Sequence, residues 1–179
     1  MLPGKSTMFL NNIKEFWVKK NVKNKLLNVN HLATNSTIIK VGLVIDETYF
    51  FDKKELLNQL INNGLLIENI SVLVFRNVIK KNDNLEFPSF SYHDISWSGL
   101  INNKEVIDFV ESEFDLLISY YDIEKAGLMQ VTNLSKARFK VGFSSIDKRI
   151  NHFMIDTNAE NYEIFVTELI KYLKILNKI

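Results

Sequence analysis

The chain has 179 residues, of which 46% are hydrophobic and 12% aromatic, enough for one domain with a well-filled core plus an extension, and too apolar for global disorder. It contains no cysteine, which excludes disulfides, thiolate metal sites and a cysteine nucleophile, and the three histidines (His31, His93, His152) are too scattered for a histidine zinc site. The net charge of +1 is unevenly spread: residues 1–37 hold six lysines against Glu15 alone, so the first fifth of the chain carries +5 and the rest −4.

Residues 1–7 read as a loose start, and Met8 is as good an initiator as Met1. From Met8 to Leu27, Phe9, Ile13, Phe16 and Trp17 recur at helical spacing, followed by Val18, Val22 and Leu26, with lysine and asparagine on the other positions. The pattern predicts a basic amphipathic helix. Residues 28–36 read as a linker, so the expected organisation is a separate basic arm over 1–36 and a domain over 37–179.

The domain opens with a β-branched, almost continuously apolar run over 37–45, the signature of a strand buried on both faces. Asp52, with Glu55 three residues on, suits a helix start; Leu56, Leu57, Leu60 and Ile61 supply its core face and Gly64 its stop. Residues 70–75 are a second buried strand and 76–88 a polar connection. A short strand is predicted over 89–92, a helix over 104–113 with Val106, Ile107, Phe109 and Val110 inward, and a strand over 116–120. A helix over 123–134, strands over 139–143 and 153–156, and a last helix over 160–176 complete the chain. Strands alternating with helices predict parallel pairing with right-handed crossovers, a Rossmann-like three-layer α/β sandwich of five or six strands.

Two resemblances accompany this reading. The segments Asp-Leu-Leu-Ile-Ser-Tyr-Tyr-Asp (115–122) and Leu-Ser-Lys-Ala-Arg-Phe-Lys-Val-Gly-Phe-Ser-Ser (134–145) resemble the N-terminal lobe of heptosyltransferase-type glycosyltransferases. That likeness implies a shared scaffold rather than transfer activity, because in that two-lobed architecture the sugar nucleotide binds mainly the second lobe. Across most of the chain, residues 8–20, 94–99 (Asp-Ile-Ser-Trp-Ser-Gly), 114–119 and 136–142 resemble an uncharacterised family of short bacterial proteins, which implies no catalytic residues.

Glycine occurs only at 4, 42, 64, 99, 127 and 142, so neither G-x-G-x-x-G nor a P-loop is present, nor is a G-x-S-x-G elbow, and no cofactor is expected. The first strand ends in Asp46-Glu47-Thr48, which would repel a pyrophosphate. In a doubly wound sheet the carboxyl ends of the strands form the ligand crevice. Asp46, Arg76 and Asp122 fall there; the two acids are candidates for acid–base work or Mg²⁺, although acids at strand ends also begin turns and cap helices. His93-Asp94 reads as a turn, and Trp97 as a residue that either stacks on a sugar or base or, as is commoner, plugs the edge of a core.

The basic arm is the main functional signal. Lys14, Lys19, Lys20, Lys23 and Lys25 offer phosphate neutralisation, and Trp17 a packing or stacking surface. The expectation is a non-catalytic binding protein whose arm contacts a polyanion, most plausibly RNA or the ribosome surface. The alternatives are a glycosyltransferase-like or nucleotide-dependent enzyme using the crevice, with Asp46, Arg76 and Asp122 converging on a cavity, and a protein-partner scaffold. No apolar run reaches the ~20 residues of a membrane span, a membrane partner is not favoured, and the cytoplasm is the expected location.

Overall fold

A computed structural model describes residues 5–26, 37–80 and 82–179, with side chains from Ile13 onward. The linker expected over 28–36 lies outside the described residues. The order of elements is α1 (Lys5–Lys25), β1 (Val41–Asp46), α2 (Lys53–Asn62), β2 (Ile70–Phe75), β3 (Ser89–Phe90), α3 (Lys104–Glu111), β4 (Leu116–Tyr120), α4 (Ala126–Leu134), β5 (Phe139–Phe143), β6 (Phe153–Ile155) and α5 (Tyr162–Ile175).

The six strands form one sheet in the order β3-β2-β1-β4-β5-β6, and every pairing is parallel. Strands β1, β4 and β5 are buried at every position, as continuous apolar runs in a sheet covered on both faces must be. Helices α2 and α5 pack together on one face; α3 packs on α4 on the other, giving the three-layer Rossmann-like sandwich. The strand order reverses between β1 and β4, which places the topological switch point at the carboxyl ends of these two strands.

Local departures have local causes. The strand predicted over 89–92 stops at Phe90, because Ser91 and Asp94 close a capping box around a 3₁₀ turn. Asp52 precedes α2 but makes no side-chain cap bond, whereas Gly64, at φ +100°, does end that helix. Ile107 remains exposed while Val106, Phe109 and Val110 bury the inner face of α3. The helix predicted from 123 begins at Ala126.

The segment expected as a separate arm packs against the domain. Val18, Val22 and Leu26, at spacing i, i+4 and i+8, are buried and belong to the same hydrophobic core as the sheet. The contacts of α1 are chiefly with α4.

The carboxyl edge of the sheet and the helix across it

Among the described residues, the polar anchors of α1 reach segments that follow a strand end. Lys14 Nζ donates to the Tyr92 carbonyl at 2.7 Å, after β3. Glu15 Oε1 accepts the Ala126 N–H at 2.7 Å, at the start of α4. Lys19 and Lys23 pair with Glu124 Oε2 at 3.0 and 2.7 Å, after β4. Arg149 Nη1, beyond β5, donates to the Lys23 carbonyl at 3.1 Å. Thus α1 crosses the carboxyl edge of the sheet from β3 towards β5. Its direction is set by these polar contacts and its rotation by the Val18–Val22–Leu26 stripe.

Of the residues predicted to bind a polyanion, Lys14, Lys19 and Lys23 are therefore committed to the domain. Burial lowers the Lys14 ammonium pKa, with Asp94 opposing. Glu124 is held below its ordinary range although burial works against it, because Lys23 and Lys19 donate to it. Lys20 and Lys25 stay exposed, and so does Trp17, at 49%. Phe16, 63% exposed, meets Trp17 edge-on at 6.2 Å, and Lys20 Nζ stands 5.6 Å from the indole centroid. The outward face of α1 is thus an aromatic pair flanked by cations, one turn apart.

The three crevice candidates are engaged with different partners. Asp46 Oδ2 lies 2.7 Å from Lys125 Nζ, and Oδ1 accepts the Thr48 N–H. Arg76 forms a two-point pair with Glu47, which also receives Lys53. Asp122 Oδ2 accepts the Ala159 N–H at 2.9 Å and fixes the loop before α5. Asp122 lines a cavity of about 360 Å³ with Tyr49, Phe50, Ile123 and Glu160. Arg76 lines another of about 280 Å³ with Glu47, Thr48 and Asn77. Asp122 and Arg76 thus line different cavities, and each of the three side chains is engaged with a partner of its own. Acids at these strand ends instead close turns and ion pairs, as their turn preference allows.

Two buried groups escaped the sequence reading. Lys125, which opens α4, keeps only 9% of its side chain exposed and stacks its ammonium 4.8 Å from the Tyr49 ring and 5.1 Å from Phe75. Glu15, the lone acid of a basic segment, is pressed into the start of α4; burial raises its carboxyl pKa, while the Ala126 N–H, the Tyr92 hydroxyl, Lys19 and Lys125 work against that rise. A single acid among six lysines was the one available signal. Among the described residues no group of three or more histidine, aspartate or glutamate side chains is arranged to hold a metal ion, and no helix is long and apolar enough to cross a membrane.

In comparison with known protein families, residues 14–176 match a family described as a family of unknown function (DUF6913). The chain belongs to that family. The matched span starts inside α1, so the second half of the helix is part of the family's common region together with the α/β body. No curated protein and no solved structure matches. The resemblance to an uncharacterised family is upheld; the heptosyltransferase likeness has no counterpart in these comparisons.

Proposed function

We propose that the protein is a non-catalytic binding protein that grips a polyanion, structured RNA such as the ribosome surface, with the outward face of α1. The observation that carries this reading is the exposed Phe16–Trp17 pair beside Lys20, with Lys25 also exposed about two turns further on. Aromatic faces stack on unpaired bases for about 1–3 kcal/mol each, and the cations neutralise phosphates. The three docked lysines hold the helix in place, so its outer face is presented rigidly rather than on a loose tail. Commitment of Asp46, Arg76 and Asp122 to separate partners weighs against a catalytic crevice.

Trp97→Phe leaves Trp17 as the only indole, and its emission reports on RNA added to the full chain. Quenching by a ribosomal RNA fragment is expected, with affinity falling steeply between low and moderate salt as counterions are released. Trp17→Ala is expected to weaken binding about fivefold or more. An affinity indifferent to salt, or unchanged in K20E/K25E, would sink the reading. Retention of a partner from cell extract after nuclease treatment would transfer the surface to a protein.

A further inference from the structure

The inner side of α1 carries a second inference, independent of the reading of its outer face. Helix α4 opens with Lys125-Ala126-Gly127 and no side chain of its own caps it. Helix starts leave several N–H groups without partners and carry partial positive charge. Here the charge is met from 111 positions earlier in the chain, by the Glu15 carboxylate on the Ala126 N–H. Beside it lies Lys125 Nζ, buried and without a hydrogen bond, its contact with Asp46 Oδ2 being an ion pair of poor hydrogen-bond angle. Glu15 Oε2 is likewise buried without a hydrogen bond of good geometry. A carboxylate therefore sits at the switch point of the sheet, on a helix start and next to a desolvated ammonium, at the end of the fold where α/β sheets take ligands.

We propose that the start of α4, with Lys125, the Ala126 N–H and Tyr92, is a binding site for the carboxylate group of an acidic ligand, and that Glu15 is the chain's own exchangeable occupant of it. The chemical class follows from the surroundings. The occupant is a planar, singly charged group, which the helix start and Lys125 balance. A phosphate dianion would bring a second negative charge beside Asp46, 2.7 Å from the same ammonium, while Lys19, the other cation acting on Glu15, is already paired with Glu124. Exchange is feasible because, among the described residues, the buried apolar side chains of α1 are the narrow stripe Val18, Val22 and Leu26, beside polar contacts from Lys14, Lys19 and Lys23. A ligand whose second carboxylate oxygen also finds a donor, such as the Gly127 N–H, would satisfy what Glu15 Oε2 leaves open.

Glu15→Ala removes one methylene and the carboxylate, the shape of acetate, so sodium acetate is the probe for the full-length variant. Acetate is expected to bind E15A at least tenfold more tightly than wild type, to shift the Ala126 and Gly127 amide resonances, and to raise the melting temperature of E15A above that in sodium chloride of equal ionic strength. Sodium phosphate is expected to do none of these. Glu15→Gln keeps the bond from Ala126 and the packing, and so remains folded if E15A does not; acetate is expected to bind it several-fold more tightly than wild type, because the group to be displaced is uncharged. Equal acetate affinity in wild type and variant, binding that leaves the Ala126 and Gly127 amides unmoved, or an equal response to phosphate would overturn the proposal.

Discussion

Lys125 Nζ lies 2.7 Å from Asp46 Oδ2 and ties the start of α4 to the end of β1 across the point where the strand order reverses. Both side chains are over nine-tenths buried, so each is the other's main compensation for lost water. Removing one partner of such a pair leaves a stranded charge and costs about 3–5 kcal/mol, whereas replacing both by apolar groups is often close to neutral. Lys125→Met is therefore expected to lower the urea midpoint sharply, and the double variant D46L/K125M to recover a large part of the loss. A double variant no more stable than K125M would show that Asp46 matters through its bond to the Thr48 N–H instead.

The clamp on α1 is centred on Glu124, which receives both Lys19 and Lys23. These pairs are partly exposed, and such pairs are worth at most about 1 kcal/mol each. Glu124→Gln is expected to loosen the helix without unfolding the sheet. Trypsin cleavage after Lys19, Lys20 or Lys23 should accelerate about fivefold or more, while far-ultraviolet circular dichroism of the body stays the same. Unchanged cleavage would mean that the Glu124 pairs add nothing to the hold that the apolar stripe and the other polar anchors exert on α1.

Much of the body was legible because burial on both faces writes itself as unbroken apolar runs: β2, β4 and β5 lie where Ile70–Phe75, Leu116–Tyr120 and Phe139–Phe143 read as strands, and β1 (Val41–Asp46) occupies the second half of the run read as a strand over 37–45. The placement of α1 was not. Its seven lysine and glutamate side chains within Lys5–Lys25 look like a solvated surface, and Phe16 and Trp17 look like the face to bury. The fold buries Val18, Val22 and Leu26 instead, and the helix is directed by polar partners distant in sequence: Tyr92, Glu124, Ala126 and Arg149. Such pairings across ~80–125 positions leave no trace in local periodicity, and the same holds for Lys125 and Asp46.

Lys140, an interior position of β5, donates its Nζ to the carbonyls of Thr132 and Asn133 at the end of α4. Burial brings its ammonium down to about 8 from 10.5. The folded state thus releases this proton before the unfolded chain does, so between pH 8 and 10 the unfolded state binds more protons and stability rises with pH. Above 10 the trend reverses, because Tyr92, Tyr120 and Tyr121 are held protonated by burial in the fold. Denaturation midpoints taken from pH 7.5 to 10 should climb in wild type and climb much less in Lys140→Met, where only the smaller contribution of Lys14 remains. A wild-type profile that is flat or falling over this range would place the folded-state proton affinity of Lys140 at or above that of the unfolded chain.

Gly142, in β5, and Asn151 are matched to each other. A Cβ on Gly142 would lie 2.5 Å from Asn151 Nδ2, and the Asn151 amide is buried with neither its nitrogen nor its oxygen hydrogen-bonded. Gly142→Ala alone is therefore an overpacking substitution, expected to cost about 1–3 kcal/mol. Asn151→Ala removes a desolvated amide that gains no compensating bond, so its cost is that of a small cavity offset by relief of about 1–3 kcal/mol of desolvation. The two changes act on one space and must couple: in G142A/N151A the new methyl occupies part of the volume the amide vacates. A double-mutant cycle by urea denaturation should give the double variant at least 1 kcal/mol more stability than the sum of the single effects. Simple additivity would mean that the Asn151 side chain swings aside when Gly142 acquires a methyl, and that its burial against β5 is not enforced by its neighbours.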